Sequence, residues 1–414
     1  MKRQILSLIC VGAILLSLAG CMNLRASENL TEGLIAKQVD TTEAKTGEGA
    51  REASVFAMKL LSLALESGDE NVVISPLSAY LALAMVANGA KGDTLSEFTK
   101  RLGSDLNISD INLFCRAIID SLTENAGGTT LSIADSVWMK KDGFVPNQDF
   151  LQAAVDYFDA EAFTSDFSDL KAVSDVNKWI EKNTNGLIKE MLKEISPDTV
   201  MLLINTLYMK ARWKTPFESA YNFKGPFTKS DGTEVETTYM SRTDRMQYLK
   251  TDAAKGVLLP YDDERLGFVA LLPEDGKTTA DLLASISDIK GLIDSAESAS
   301  IRLSLPIYKI EYECTMNDIL KSAGIKLAFD EQKADLSGLG TAMGNLYIGE
   351  VRQKVVIEVN EKGTEAAAAT VIDIRTTSAI QSDFALTFDK PFIYMVVDLE
   401  SGIPLFVGQM DNPA

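Results

Sequence analysis

Residues 360–380 read NEKGTEAAAATVIDIRTTSAI. The front half, Glu365 and Ala366 to Ala369, has the composition of a good helix former. The back half, Thr370-Val-Ile-Asp-Ile374, alternates and is β-branched, as a strand would be. Four consecutive alanines give a helix no apolar stripe and give a strand little to pack. A segment this indifferent to its own conformation needs a reason, and the rest of the chain supplies one.

The 414 residues are 46% hydrophobic and 24% charged, ordinary globular material with room for a large core. The formal charge of −19 disfavours nucleic acid and anionic lipid surfaces, so no nucleic-acid partner is expected. The chain contains no histidine. Ser-His-Asp and Cys-His hydrolases therefore lose the group that moves the proton. Zinc sites built on His-Glu-x-x-His are out as well, and neither a metal nor a cofactor is expected. Histidine-free alternatives match poorly. Ser168-Lys171 and Ser287-Lys290 have Ser-x-x-Lys spacing, but the only Lys-Thr-Gly triplet, Lys45 to Gly47, precedes both. Gly338-Leu-Gly340-Thr-Ala-Met-Gly344 misses the dinucleotide fingerprint at Met343 and reads as a loop. No catalytic residue is assigned.

At the N-terminus, Lys2 and Arg3 precede an apolar run over Ile5–Leu18, which ends in Leu-Ala-Gly-Cys21. The run is short for a membrane span and reads as a secretory signal over 1–20. Its ending resembles a bacterial lipobox, which implies acylation of Cys21 and a lipid anchor in the membrane. Met22 in place of aspartate favours the outer membrane, facing periplasm or cell surface. Residues 21–50 are polar and read as a flexible tether, and 51–414 as one domain. Cys115 and Cys314 are expected to be small buried hydrophobes rather than a bridge.

The remaining pattern is α+β. Asn71–Ile74 reads as a short buried strand, Ser75 as the N-cap of a helix opening at Pro76, and Thr94 as the cap of the next helix. Thr199–Met209 is apolar at nearly every position, a strand covered on both faces. Pro391–Asp398 and Ile403–Gly408 flank Glu400-Ser-Gly402 as a hairpin.

In order along residues 51 to 414, these stretches resemble the serpins. The matching blocks are Asn71-Val-Val-Ile-Ser-Pro-Leu-Ser78 with Gly89-Ala90 and Gly92, Val176-Asn-Lys-Trp179 with Thr184-Asn-Gly-Leu-Ile188, and Asn205–Trp213 with Pro216-Phe217. Leu259-Pro-Tyr261, Ala334-Asp-Leu-Ser-Gly338, Phe388-Asp-Lys-Pro-Phe392 and Pro404-Leu-Phe406 continue the series. The resemblance implies a serpin fold, helices around large β-sheets with an exposed reactive-centre loop. It also implies a monomeric, suicide-type inhibitor that traps serine or cysteine endopeptidases as acyl-enzymes. The alternatives are a serpin-fold binding module that no longer inhibits and a surface lipoprotein. Non-inhibitory members tend to carry bulky or charged hinges, which this chain lacks.

The same resemblance makes Glu361, Gly363, Thr364, Glu365, Ala366, Ala367, Ala368, Ala369 and Thr370 the loop hinge. It places the scissile bond at Thr377-Ser378, with Arg375-Thr376 as the alternative. Threonine suits an elastase-like or subtilisin-like protease, arginine a trypsin-like one. Trp213 corresponds to the strand tryptophan. Ser75, Ser78 and Asn205 would form a buried polar cluster under the central sheet, with Gln353 where the family commonly has a histidine. The opening stretch then has two lives, exposed loop before cleavage and sheet strand afterwards. Its alternation fits: Thr364, Ala366, Ala368, Thr370, Ile372 and Ile374 share one face, without charge. Glu365, Asp373 and Arg375 fall on the other, expected to face solvent.

Overall fold

The apolar run near residue 200 becomes the middle strand of a seven-stranded sheet, buried on both faces. A computed structural model of the protein describes residues 26–123, 129–364 and 382–414. The chain opens with β1 (Ser27–Asn29), α1 (Thr46–Ala64), β2 (Val72–Ile74), α2 (Pro76–Ala87), α3 (Gly92–Leu102) and α4 (Ile108–Thr123). Next come β3 (Thr130–Lys140), β4 (Val145–Pro146), α5 (Gln148–Phe158), β5 (Glu161–Ser165), α6 (Lys171–Asn183) and β6 (Met201–Arg212). The strands β7 (Phe223–Thr228), β8 (Glu234–Lys250), β9 (Ala254–Pro260) and β10 (Leu266–Pro273) lead to α7 (Thr279–Ser285) and α8 (Ile289–Asp294). After β11 (Glu297–Pro306), β12 (Tyr308–Thr315) and α9 (Asn317–Ala323) come β13 (Gly340–Thr341), β14 (Glu350–Asn360) and β15 (Gly363–Thr364). The chain closes with β16 (Phe384–Thr387), β17 (Phe392–Asp398) and β18 (Pro404–Met410).

The central sheet runs β1-β5-β3-β6-β15-β14-β12. A second sheet runs β16-β11-β8-β9-β10-β17-β18-β2, with β7 on β8. Between the two lies the main core, which also receives α2, buried along its whole length. That explains why α2 has no amphipathic stripe: it is surrounded. A smaller cluster, with Trp138, Leu202, Ile204 and Trp179, sits between the outer face of the central sheet and α6.

Three local readings change. Ser75 occupies the cap position of α2, but its hydroxyl donates to the Leu405 carbonyl at 2.9 Å and caps nothing. Thr94 lies inside α3, whose cap is Lys91, and its hydroxyl accepts from the Asp335 N–H at 3.0 Å. The expected tether over 21–50 is packed on the body from Ala26 to Thr31, while 32–48 stays mostly exposed. Residues 27–29 pair with β5, and Asn29 Nδ2 donates to Glu161 Oε1 at 2.8 Å. The Lys37 N–H donates to Asp156 at 2.7 Å, and α1 begins at Thr46. Backbone pairing along a sheet edge needs no apolar side chains, so polar composition concealed it. Cys115 and Cys314 are both free.

Candidate functional site

Gly363 and Thr364 lie between β6 and β14 at one end of the central sheet. Gly363 is paired with Arg212 and Asn360, Thr364 with Ala211 and Val359. Only glycine fits at 363: its φ is +150°, and a Cβ there would stand 2.0 Å from the Ala211 carbonyl oxygen. The Thr364 side chain is buried, and its hydroxyl shares a 2.6 Å hydrogen bond with Tyr261 Oη. Tyr261 stacks on Trp213, ring centroids 4.8 Å apart and 8° from parallel.

Trp213 holds the approach to this strand from both sides of its own chain. Its indole N–H donates to the Asn360 carbonyl at 2.8 Å, and its backbone N–H to the Lys362 carbonyl at 2.9 Å. The Phe217 N–H donates to the Glu361 carbonyl at 2.8 Å, and Asn222 Nδ2 donates to Glu361 Oε1 at 2.5 Å. Glu361 and Lys362 are thereby fixed at the mouth of the gap.

Farther down, β6 and β14 pair with each other directly, in parallel, over Leu202–Asn205 and Glu350–Gln353. Among the described residues no ladder pairing joins 206–210 to 354–358. The two strands thus meet at one end, flank β15 at the other, and are not laddered to each other in between.

The point where they part carries the buried polar cluster. Gln353 Oε1 accepts from the Ser75 N–H at 2.9 Å, while its Nε2 donates to the Ser75 carbonyl at 2.8 Å and to Asn205 Oδ1 at 2.9 Å. Asn205 Nδ2 donates in turn to Asp135 Oδ1 at 2.8 Å. Ser78 is buried nearby in sequence, but its hydroxyl has no hydrogen-bond partner among the described residues, so three of the four expected members are joined. Burial pushes the Asp135 carboxyl up to about 7, against the lowering effect of the Asn205 hydrogen bond. Its Oδ2 has no hydrogen-bond partner among the described residues.

Asp135 and Tyr261 are the members that sequence reading did not assign. Asp135 had a signal: it shares parity with Leu131, Ile133, Val137 and Met139, and so falls on the core face of β3. Tyr261 had only its place in the block Leu259-Pro-Tyr261.

Side-chain facing follows from register. Leu203, Leu207, Met209 and Ala211 of β6, with Val351, Val355, Ile357 and Val359 of β14, point into the main core. Thr364 lies opposite Ala211 and Val359 and shares that face. The other face is not all solvent, as the charge pattern suggested: Leu202 and Ile204 are covered there by α6 and by Ile188, Met191, Leu192 and Ile195. Cys21, the hinge residues Glu365 to Thr370, and both bond pairs, Arg375-Thr376 and Thr377-Ser378, lie outside the described residues.

Comparison with known proteins agrees with this geometry. The family described as Serpin (serine protease inhibitor) matches residues 51–413. The chain is 34% identical to Serpin-ZXA of Oryza sativa subsp. japonica, over 83% of this chain and 90% of that one. It is 31% identical to neuroserpin of Gallus gallus, over 88% and 91%. The thermophilic serpin Tengpin in its native state superimposes with a TM-score of 0.87 at 36% identity, over 93% of this chain and 99% of that one. The latent state of Tengpin gives 0.76, so the arrangement here is the native-like one. A fold of two large sheets with the short strand 363–364 set between two central strands, and a family match over residues 51–413, place this chain in the serpin family.

Proposed function

We propose that the protein is a single-use inhibitor that traps endopeptidases as acyl-enzymes, and not a catalyst. One observation carries this reading: Gly363 and Thr364 already occupy the top of a gap that continues downward between β6 and β14. If the strand were extended in the same register, residue 366 would fall between Met209 and Ile357, 368 between Leu207 and Val355, and 370 between Asn205 and Gln353. Alanine at 366 and 368 suits a space bounded by these apolar side chains, since larger groups would have to be forced between them. Threonine arrives where the polar cluster sits.

A protease acylated at residue 377 would be carried along with the strand. Residues 363 to 377 span about 46 Å when extended. Deacylation needs an oxyanion hole and a triad in tight geometry, and pulling on the acyl residue from that distance deforms both. Driving force comes from new ladder hydrogen bonds at ~0.5–1.5 kcal/mol each and from burial of Ile372 and Ile374 at ~1.5–3 kcal/mol each.

The primary bond is Thr377-Ser378, which directs the inhibitor at an elastase-like or subtilisin-like serine protease. Arg375-Thr376 would direct it at a trypsin-like one. Cysteine endopeptidases also pass through an acyl-enzyme and fall within range. The chain acts as a monomer, anchored through lipid on Cys21 at a bacterial outer membrane. Incubation of the full chain with an elastase-type and a trypsin-type protease, followed by a denaturing gel, tests the reading. A covalent band near the summed mass supports it, and quantitative clipping without that band overturns it. For the anchor, Cys21→Ser should move the protein from the membrane to the soluble fraction.

A further inference from the structure

Among the described residues, Asp135 is the buried carboxylate wired to the point where β6 and β14 part. From it a chain of hydrogen bonds runs through Asn205 and Gln353 to both backbone groups of Ser75, linking β3, β6, β14 and the start of α2. The Asn205–Gln353 link closes the last pair before β6 and β14 part. A strand entering in the register of Thr364 must break that link to pass residue 369.

Among the described residues, nothing positive faces Asp135. On β3 the same face carries Leu131, Ile133, Val137 and Met139, and β6 brings Asn205 between Leu203 and Leu207. The helix α2 has no Asp, Glu, Lys or Arg, and its Tyr80 donates to the Leu102 carbonyl at 2.9 Å. From α4 comes Cys115, fully buried, its thiol pushed up first by burial and then by the charge of Asp135 itself. The neighbouring Arg116 is engaged with Asp120 at 2.6 Å and Asp159 at 2.9 Å. On β5, Glu161 is held by Asn29 and by the Trp179 indole. The charges of α6 lie beyond the other face of the sheet. An ionised Asp135 would therefore sit dry, with Oδ2 unpartnered, in the closed sheet. Parting the strands frees the Gln353 and Asn205 amides and lets water reach the carboxylate, which relieves that cost.

We propose that the proton on Asp135 governs how fast a new strand separates β6 from β14. Protonated, Asp135 holds the sheet closed; once the proton has passed to solvent, the carboxylate favours release of Gln353 from Asn205. Asp135 is thus a positioning residue that makes insertion faster at neutral and alkaline pH. This rests on the inhibitory reading above for its biological use, but not for its test.

A synthetic peptide of residues 365–374 is added to the full chain without protease, and its uptake is followed by tryptophan emission and native gel from pH 5.5 to 8.5. Wild type should accelerate up to about thirtyfold across this range with a midpoint near 7, since the ionised fraction of a group titrating there rises from about 3% to about 97%. Asp135→Asn should be slow and flat. An infrared band of a buried protonated carboxyl should be lost with the same midpoint, which keeps the test decisive if the variant does not fold. A flat wild-type profile, or parallel profiles in the two proteins, overturns the proposal. Pronounced pH dependence of peptide uptake with no covalent protease complex would overturn the inhibitory reading and leave this one standing.

Discussion

Tyr261 and Thr364 meet hydroxyl to hydroxyl, 2.6 Å apart, at the upper edge of the gap between β6 and β14. Both residues are buried, so neither oxygen has water to fall back on. Tyr261→Phe should leave the Thr364 hydroxyl unsatisfied and cost about 1–3 kcal/mol. Adding Thr364→Val should recover most of that loss, because an apolar pair leaves nothing unmet. Urea midpoints of the two single variants and the double variant decide it, and purely additive losses would contradict the pairing.

Ala368→Glu tests the register. Its carboxylate would be driven between Leu207 and Val355 in the main core, at a cost of several kcal/mol. The expected result is clipped chain without covalent complex. Ala367→Glu has the opposite parity and should retain measurable inhibition. Equal behaviour of the two variants on a denaturing gel would mean that the facing derived from Thr364 is wrong.

Gln353→Leu removes the partner of Ser75 N–H, the Ser75 carbonyl and Asn205 Oδ1 together. About 3 kcal/mol of stability should be lost, the cost of leaving buried polar groups unmet. A shift in the urea midpoint with an unchanged slope would show it.

Asp135 makes stability depend on pH in a defined direction. The folded protein holds this proton up to about 7, whereas an unfolded chain releases it near 4. The folded state therefore binds the excess proton, and this contribution to stability falls as pH rises from about 4 to about 7, then levels off. Asp135→Asn should match wild type near pH 4 and exceed it at pH 8 by at most about 4 kcal/mol. Melting curves of the pair across that range check the difference, in which the other carboxylates cancel.

Cleavage within 375–380 should raise the melting temperature, since the freed segment can add ladder hydrogen bonds to the central sheet. Calorimetry of intact and clipped chain should show the clipped form melting later. Unaltered melting would remove the basis for the trapping mechanism.

Much of this was legible in the sequence. The apolar runs at 71–74 and 199–209, and the pair at 391–398 and 403–408 around a hairpin turn, announced their strands. The cluster members Ser75, Asn205 and Gln353 could be named in advance through resemblance. Edge pairing at 27–29 was hidden, because a backbone ladder imposes no apolar period on Ser-Glu-Asn. Thr94 was misread as a cap, and Ser75 holds the cap position without a capping bond, because a hydroxyl beside a helix start can equally serve a distant backbone group, here Asp335 N–H and the Leu405 carbonyl. Asp135 shows the reverse failure: its parity was visible, but the cost of its burial becomes apparent only when α2 and α4 are in place.

On the inhibitory reading, the two-residue strand at 363–364 would act as a start signal for the segment that follows it. With Gly363 locked against Ala211 by the absence of a Cβ, odd and even positions are assigned before any further residue enters. Inserting or deleting a single residue between 365 and 374 would swap the two sets, turning Asp373 inward and both isoleucines outward. Segment length there is constrained by arithmetic rather than by chemistry, and only changes in steps of two, or changes beyond residue 375, leave the frame intact.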